Sequence, residues 1–250
     1  MLDGRVAMIT GASSGIGAAA ARLFAAEGAA VVLMARRADR LRAVADEVAA
    51  AGGRALAVPG DVAAPQDVAR AVAAALDTFG SLDCAFNNAG YGTVGVPLHE
   101  ISREVFEHTM AVNVGGVWNC LQAQIPVMLK NGGGSIVNTS SVAGLLATGV
   151  SAAYVAAKHA VIGLTREAAA EYGRQGIRVN ALVVGSTMTE LIKGALAVEP
   201  GLGDAFISNS IQQRWAEPGE VAEAAAWLCS GRSSFVTGTA MSVDGGATAI

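Results

Sequence analysis

The feature that most constrains the fold is a regular alternation of short apolar runs with longer alanine-rich stretches. The short runs are rich in β-branched residues and predict strands, at 5–10, 29–35, 55–60, 82–88, 134–141, 177–184 and 239–245. Apolar residues at helical spacing lie between them and predict helices, at about 15–28, 38–51, 65–79, 102–130, 152–173 and 218–230. Because such units close through right-handed crossovers, we expect an α/β fold with a doubly wound parallel sheet of about seven strands and helices on both faces.

The chain shows no internal boundary. Its 250 residues contain no Pro/Gly-rich linker, composition shift or repeat, so a single domain spanning 1–250 is predicted. The least regular stretch, 185–216, follows the sixth predicted strand. Ligands bind beyond the carboxyl ends of strands in such sheets, and long connections are often binding elements, so we expect a substrate lid there. The alternative is a plain surface excursion.

The composition argues against several classes of function. Hydrophobic residues make up 52% of the chain, but no run approaches the roughly 18 apolar residues of a membrane-spanning helix. A net charge of −4 without a long basic stripe argues against a nucleic-acid partner. The three cysteines and three histidines lack metal-ligand spacing, so we expect no metal, reduced thiols and a cytoplasmic location.

The first predicted strand runs directly into a glycine-rich turn, TGASSGIG, which opens the first predicted helix. Glycine lets the backbone approach a pyrophosphate, and a helix N-terminus supplies free N–H groups. The alternative is a turn that serves close packing alone. Its place between the first strand and the first helix favours binding of a dinucleotide, by Gly11, Ser13, Ser14, Gly15, Ile16 and Gly17.

The end of the second predicted strand bears on which dinucleotide is bound. An acidic residue there would bind the ribose hydroxyls and repel a 2′-phosphate, but the sequence has Ala35 followed by Arg36 and Arg37. Two guanidinium groups suit a phosphate dianion, so NADP(H) is favoured over NAD(H). NAD(H) stays possible, because both arginines could instead begin a solvated helix.

These motifs and others, in order along nearly the whole chain, resemble the short-chain dehydrogenase/reductase family, and in particular its NADP(H)-preferring members of about 250 residues. The matching segments are TGASSGIG, DV at 61–62, NNAG at 87–90, AVNVGG around Asn113, IVNTSS at 136–141, YVAAK at 154–158, RVNAL at 178–182 and the closing VTGTAMSVDGG. The resemblance implies a Rossmann fold, a nicotinamide cofactor and a homotetramer built partly on the helices around 102–130 and 152–173.

The resemblance also implies a role for each matching residue. Ser141 resembles the catalytic serine, Tyr154 the proton donor or acceptor, and Lys158 the residue that holds the nicotinamide ribose. Asn113 resembles the helix-borne asparagine that supports this lysine through water. Besides Tyr154 and Lys158, cofactor contacts are implied for Asp61, Val62, Asn88, Ala89, Gly90, Gly185, Thr187 and Thr189.

The sequence departs from the family at one place in this site. After RVNAL the family usually has Pro-Gly, whereas this chain has Val184 and Gly185. Valine restores a backbone N–H and loosens the chain, so the entry to the lid can differ. The implied contact between Thr189 and the cofactor carboxamide is the one that this change puts in question.

Tyr154 and Lys158 are four positions apart, so a helix places both on one face. Such pairs are also ordinary neighbours on a solvated helix, an alternative that the surrounding motifs disfavour. A phenol with a pKa near 10 is a weak base at neutral pH, and a neighbouring ammonium is expected to lower that pKa. Tyr154 then acts as acid in reduction and base in oxidation, while Ser141 stabilises charge on the substrate oxygen.

The substrate side is expected to be largely apolar. It would be formed by 91–98, 142–152 and, from the lid, Met188, Leu191, Ile192 and Trp215, with Lys193 and Arg214 as possible charges. We therefore expect an enzyme that interconverts a carbonyl and a secondary alcohol by direct hydride transfer, acting as a reductase on a neutral, fairly apolar small molecule. The alternatives are an NAD-dependent alcohol dehydrogenase working oxidatively and a non-enzymatic NADP(H) sensor on the same fold.

Overall fold

A computed structural model describes residues 1–92, 96–198 and 201–250. Within those residues, seven parallel strands form one sheet with the order β3-β2-β1-β4-β5-β6-β7. The strands are β1 Val6–Thr10, β2 Ala30–Ala35, β3 Arg54–Pro59, β4 Cys84–Asn87, β5 Gly134–Thr139, β6 Ile177–Val184 and β7 Ala240–Val243. The predicted doubly wound α/β fold is confirmed.

Nine α-helices lie in the described part of the chain. They are α1 Gly15–Ala26, α2 Ala38–Ala50, α3 Pro65–Phe79, α4 Arg103–Met110, α5 Gly116–Lys130, α6 Ala152–Tyr172, α7 Glu190–Val198, α8 Leu202–Ser208 and α9 Pro218–Cys229. Local signals mark several starts: Pro65 and Pro218 stand in the first turn, and the Ser102 hydroxyl accepts a bond from the Val105 N–H at 3.2 Å. None of these helices has the length and apolar character that crossing a bilayer requires.

The helices cover both faces of the sheet, which explains the continuous apolar character of the central strands. Helices α1, α2 and α9 bury one face, and α3, α5 and α6 bury the other. All five residues of β1 are buried, with Ile9 beside Leu33 of β2 and Phe86 of β4. A strand buried on both faces needs apolar residues at every position, so periodicity of two is absent.

The predicted helix at 102–130 is not regular. Residues Ala111–Gly115 form a turn of π-helix, in which the Gly116 N–H bonds to the Ala111 carbonyl. The Asn113 side-chain amide donates to the Thr109 carbonyl at 2.9 Å, which is the acceptor that an α-helix would give to the Asn113 backbone N–H. Turns of this kind frequently mark functional sites. The apolar spacing continues across the turn, so the sequence pattern did not reveal it.

The segment 185–216, expected to be irregular, contains α7 and α8 and has its two ends tied together. Thr187 and Ala216 form a parallel bridge, and the Met188 N–H donates to the Ala216 carbonyl at 2.9 Å. The Phe206 and Trp215 rings lie 6.0 Å apart between centroids. The segment is therefore a folded excursion above the carboxyl end of β6, and its action as a lid stays a prediction.

Strand order reverses between β1 and β4, because the chain runs outward through β2 and β3 before it returns to pair β4 with β1. In doubly wound sheets, ligands bind outside the carboxyl ends of the strands at this switch point. The loops after β1 and β4 therefore diverge around the position where a site is expected.

Candidate active site

A cleft of about 1120 Å³ opens along the carboxyl ends of the strands. Every predicted site residue lines it except Gly17 and Asn113. The wall at one end is formed by Gly11, Ser13, Ser14, Gly15, Ile16, Arg36, Arg37, Asp61 and Val62. The wall at the other end is formed by Asn88, Ala89, Gly90, Ser141, Tyr154, Lys158, Gly185, Thr187 and Thr189.

Two glycines of the turn are required by close packing. Gly11 has a φ of +68°, and a Cβ there would lie 2.9 Å from the Ala89 Cα. A Cβ on Gly17 would lie 2.3 Å from the Gly11 carbonyl oxygen. Gly17 therefore stands behind the wall, where it lets α1 approach the turn. The alternative that the turn serves close packing alone therefore holds for Gly17, which does not line the cleft, and not for Gly11, which does.

The turn leaves the start of α1 open to an anion. Ser14 is the residue before α1 and its hydroxyl makes no capping hydrogen bond, so the first N–H groups of the helix are available. The partial positive charge of the helix end adds to these donors. A pyrophosphate fits this cradle, which supports the dinucleotide that the turn predicted.

The loops after β1 and β4 are joined by a threonine that the sequence reasoning passed over. The Thr10 hydroxyl accepts from the Asn88 N–H at 3.0 Å and from the Ala89 N–H at 3.1 Å. The Asn88 side chain donates back to the Thr10 carbonyl at 3.2 Å. These bonds fix the cleft wall at the switch point. The threonine that precedes Gly11 in the motif was the available signal.

A second overlooked feature is a buried chain of polar side chains behind the wall. Asn87 donates to Gln124 at 3.1 Å and to Asn138 at 2.9 Å, and Asn138 donates to Thr165 at 3.0 Å. All four residues are at most 2% exposed. Fully satisfied networks of this kind fix the relative positions of the elements that carry them, here β4, β5, α5 and α6.

Charged side chains cluster at the end of the cleft near the turn. Arg37 donates to the Ser13 hydroxyl at 3.1 Å and to the Ser14 hydroxyl at 2.6 Å, while Arg36 lies 4.0 Å from Asp61. These guanidinium groups face the cleft, where a phosphate next to the turn would meet them. The predicted arginines are thus brought together with the predicted serines.

Two further charges join this cluster without having been predicted. The carboxylate of Glu190, at the start of α7, accepts from Arg37 at 3.1 Å and from Arg40 at 2.5 Å. The Arg37 bond is the first cause that holds the pKa of Glu190 below its ordinary value. Residues so far apart in the chain give no local signal, so only the fold reveals this contact.

Lys158 is the most unusual group at the opposite end of the cleft. It is 3% exposed, and its ammonium donates to the Thr139 carbonyl at 2.8 Å. Burial lowers the pKa of Lys158 to about 8. The ammonium lies 5.4 Å from the centroid of the Tyr154 ring, so the predicted pair does share one face of α6 inside the cleft.

The prediction that Lys158 lowers the pKa of Tyr154 is wrong. Burial raises the pKa of Tyr154, and the hydrogen bond with the Ser141 side chain opposes that shift. The Lys158 ammonium bonds to the Thr139 carbonyl and is not among the causes of this shift. The sequence spacing gave the proximity of the two groups but not the cost of desolvation, which dominates here.

Serine residues at the end of β5 have two different tasks. The Ser141 hydroxyl accepts from the Ala143 N–H at 3.2 Å and interacts with Tyr154. The Ser140 hydroxyl donates to the Lys158 carbonyl at 3.0 Å and so ties α6 to the strand. Both serines line the cleft, and Ser140 in addition fixes the backbone of α6.

Asn113 lies behind the cleft in the π-turn. Its side chain accepts from the Tyr91 N–H at 3.2 Å and donates to the Tyr91 carbonyl at 2.7 Å. It therefore holds the loop after β4, whose Gly90 faces the Lys158 ammonium across the cleft. The support of Lys158 through water stays a prediction.

The region of the departure from the family keeps strand geometry. Val184 pairs with Val243 of β7, so the valine extends β6 to its last residue. Thr187 is buried and bonds to the Gly185 carbonyl at 3.1 Å, and the Thr189 hydroxyl accepts from the Ile192 N–H at 3.4 Å. Thr189 also contacts Gly15, since a Cβ on this glycine would lie 3.2 Å from the threonine methyl.

The cleft wall includes apolar residues of the predicted substrate side, namely Tyr91, Gly92, Leu146, Ala147, Val150 and Ile192, together with Phe206. Polar residues line it as well, namely Thr148, Ser208, Asn209, Ser210 and Asp244. Met188 and Trp215, which were predicted for this wall, do not line the cleft. Lys193 and Arg214 are not part of the wall, and Arg214 instead pairs with Glu220 at 2.7 Å. Residues 93–95 of the predicted wall and the Leu191 side chain lie outside what the structure describes.

Metal ligands do not converge in this cleft or elsewhere among the described residues. In that part of the chain, no group of three or more His, Cys, Asp or Glu side chains could hold an ion.

Comparison with known proteins gives a consistent result over the full length. A sequence family described as enoyl-(acyl carrier protein) reductase matches residues 11–248. An A-factor type γ-butyrolactone 1′-reductase (1S-forming) of Streptomyces virginiae is 53% identical over 99% of this chain and 97% of its own. A 2,5-dichloro-2,5-cyclohexadiene-1,4-diol dehydrogenase of Sphingobium indicum is 46% identical over 100% of this chain and 99% of its own. The crystal structure of levodione reductase superposes with a TM-score of 0.95 at 35% identity, covering 100% of this chain and 99% of the other.

Proposed function

The chain belongs to the short-chain dehydrogenase/reductase family, and from that premise we propose that it reduces a neutral, largely apolar ketone or aldehyde with NADPH. Family membership makes the protein an NAD(P)-dependent oxidoreductase that acts on alcohol and carbonyl groups. The choice of dinucleotide, the direction and the kind of substrate are the parts proposed here.

The observation that carries the proposal is the arrangement of Ser141, Tyr154 and Lys158 in one cleft, where the Ser141 side chain bonds to Tyr154 and the Lys158 ammonium lies 5.4 Å from the centroid of the Tyr154 ring. The Tyr154 hydroxyl donates a proton to the carbonyl oxygen of the substrate as that oxygen gains charge. The Ser141 hydroxyl donates a hydrogen bond to the same oxygen and so stabilises the charge. When bound, the nicotinamide supplies the hydride for the carbonyl carbon.

Reduction is the proposed direction, in which Tyr154 acts as the proton donor. Burial raises the pKa of its phenol and so favours the protonated form that donates. Lys158, held by the Thr139 carbonyl, keeps further N–H donors for the nicotinamide ribose that it would hold.

The preference for NADPH is supported by Arg36 and Arg37, which line the cleft, with Arg37 bonded to the serines of the turn. A phosphate dianion gains charge-assisted hydrogen bonds there, which NADH cannot make. We expect kcat/KM with NADPH to exceed that with NADH by at least about tenfold, in line with roughly 1.4 kcal/mol of added binding. Equal or better turnover with NADH would overturn the preference.

The substrate is best sought among neutral carbonyl compounds that carry a ring. The apolar wall around Leu146, Val150 and Phe206 supports such a compound, and the relatives are named for a γ-butyrolactone, a cyclohexadienediol and levodione. A panel of cyclic ketones and their carboxylate-bearing analogues, assayed by the decay of NADPH absorbance, tests this. Preference for the charged analogues would contradict the proposal.

A second candidate is an NAD-dependent dehydrogenase that works oxidatively. It is favoured by one observation, the Glu190 carboxylate that already occupies Arg37 and Arg40. The two candidates separate in one assay, because the second predicts faster alcohol oxidation with NAD⁺ than ketone reduction with NADPH at neutral pH.

Self-association into a homotetramer is part of the proposal. Apolar side chains on α4 and α5 are exposed at Phe106, Trp118 and Leu129, which supports their burial between subunits. Light scattering is expected to give the mass of four chains, and a monomer at micromolar concentration would contradict this.

The buried free thiols of Cys84, Cys120 and Cys229 support the proposed cytoplasmic location.

A further inference from the structure

The Glu190 carboxylate is the one acidic group that contacts the cluster of cations beside the glycine-rich turn from the segment 185–216 among the described residues. Its Oε2 atom accepts from Arg37 at 3.1 Å and from Arg40 at 2.5 Å, so one oxygen bridges two guanidinium groups. Glu190 is also the first residue of α7. Its contact therefore ties that segment to the end of the cleft where phosphate would bind.

The donors of Arg37 are divided between two partners. Nε and Nη2 donate to the serine hydroxyls of the turn, and Nη1 donates to Glu190. Arg40 is not part of the cleft wall, and Glu190 is the partner that the structure gives its guanidinium. A 2′-phosphate that approached the Arg37 guanidinium would thus meet an Nη1 group that already bonds to the Glu190 carboxylate.

We propose that Glu190, which Arg40 also holds, sets the cofactor preference of this enzyme by competing with the 2′-phosphate of NADP(H) for Arg37. The inference rests on the proposed use of NADP(H). A carboxylate and a phosphate dianion repel each other when they share a guanidinium edge, so binding of the phosphate requires Glu190 to give up its bond to Arg37. Arg36 makes no bond to Glu190 and keeps a basal attraction for the phosphate.

The size of the effect is limited by solvent. The side chains of Arg37, Arg40 and Glu190 are 46%, 54% and 53% exposed, so each ion pair is screened and individually weak. Loss of both pairs changes affinity for the phosphate-bearing dinucleotide by roughly threefold to tenfold. Affinity for NADH, which lacks the phosphate, changes by less than about twofold.

The test uses Glu190→Gln, which removes the charge and keeps the shape, in the full-length protein. Glu47→Gln is the matched control, because Glu47 is also 53% exposed and pairs with Arg22 away from the cleft. Calorimetric titration measures the affinity for NADPH and NADH, and for the fragments adenosine 2′,5′-bisphosphate and adenosine 5′-monophosphate. These readouts need no turnover.

The expected result is tighter binding of NADPH and of the bisphosphate by Glu190→Gln, by about threefold to tenfold, with NADH, the monophosphate and the Glu47→Gln protein unchanged. The gain is expected to vanish when Arg37→Ala is added, because Glu190 and the 2′-phosphate then no longer share the Arg37 guanidinium. Unchanged or weaker binding of NADPH by Glu190→Gln would overturn the inference. Equal tightening of all four ligands would also overturn it, because it would point to the α7 segment rather than to the phosphate.

The same data separate this inference from the proposed function. A wild-type protein that prefers NADPH, with no further gain in Glu190→Gln, contradicts the role of Glu190 alone. A wild-type protein without preference that gains one in Glu190→Gln supports the role of Glu190 and contradicts the proposed NADPH preference. Absence of any phosphate effect in both proteins contradicts both.

Discussion

The two ends of the cleft differ in the solvent exposure of their charged groups. We call the end at Tyr154 and Lys158 the catalytic end, and the end at the glycine-rich turn and Arg37 the phosphate end. At the catalytic end, Lys158 is 3% exposed, and burial dominates the pKa of both Lys158 and Tyr154. At the phosphate end, Arg36, Arg37, Arg40 and Glu190 are about half exposed or more, and they take part in ion pairs. Electrostatic interactions between buried groups are strong, whereas those between exposed charges are weakened by water and salt.

Because of this difference, we expect single substitutions at the two ends to have effects of different size. If Ser141, Tyr154 and Lys158 act as proposed, removal of one of them abolishes a step of the reaction. Removal of one charge at the phosphate end is partly replaced by water, salt or a neighbouring arginine. We therefore expect single substitutions at the catalytic end to cause large losses of activity. At the phosphate end, we expect them to change the preference between NADPH and NADH only modestly.

The largest effect is expected for Tyr154→Phe. Loss of the phenolic proton donor lowers kcat by about 10²- to 10⁴-fold, while the affinity for NADPH changes little. Steady-state kinetics and fluorescence titration of NADPH measure the two quantities. Tyr172→Phe is the control, because Tyr172 ends α6 outside the cleft and its loss is expected to leave kcat unchanged. A Tyr154→Phe enzyme with more than about a tenth of wild-type kcat would contradict the role given to the catalytic end.

An intermediate effect is expected for Lys158→Met, which should stabilise the folded protein although it removes a hydrogen bond. The pKa of Lys158 is lowered from 10.5 to about 8, so at neutral pH the folded state carries the cost of a buried charge. Replacement is expected to raise the free energy of unfolding by about 1–2 kcal/mol, after loss of the bond to the Thr139 carbonyl, and to abolish activity. Urea unfolding measures the change, with exposed Lys130→Met as the control.

The pH dependence of this gain sharpens the prediction. Between about 8 and 10.5 the unfolded chain binds the proton that the folded Lys158 has released, so wild-type stability rises with pH in this window relative to the variant. The advantage of Lys158→Met is therefore expected to shrink as the pH rises through the window. An advantage that is constant with pH, or a variant that is less stable at neutral pH, would show that the buried charge is not the cause.

The smallest effect is expected for Arg36→Ala. Arg36 is 64% exposed, so its loss should lower the ratio of NADPH to NADH affinity by only about threefold to tenfold. The loss should shrink further in about 0.5 M salt, where the screening length is only a few ångströms. Arg42→Ala is the control, because Arg42 pairs with Asp39 away from the cleft. A salt-independent loss would mean that this end resembles the catalytic end after all.

Much of the fold and of the site could be predicted from the sequence because the signals were local. A continuous apolar run indicates a strand buried on both faces, and a glycine turn between strand and helix indicates a phosphate cradle. The spacing of Tyr154 and Lys158 on one helix gave their proximity. The resemblance to the family then supplied Ser141 and Asn113, which no spacing rule indicates.

The remaining features depend on contacts between distant parts of the chain. The π-turn around Asn113 interrupts a helix without disturbing its apolar spacing. Glu190 meets Arg40 across 150 positions of sequence. The sign of the shift at Tyr154 depends on burial, which is a property of the packed molecule and not of the residue spacing.

The most direct test of the central claim is a crystal structure of the complex with NADP⁺ and an unreactive ketone analogue. We expect the 2′-phosphate within hydrogen-bond distance of Arg37, the bond of Glu190 to Arg37 broken, and the analogue's oxygen bonded to both the Tyr154 and Ser141 hydroxyls. A ligand oxygen that bonds to neither hydroxyl, or an adenosine end that lies away from both arginines, would contradict it.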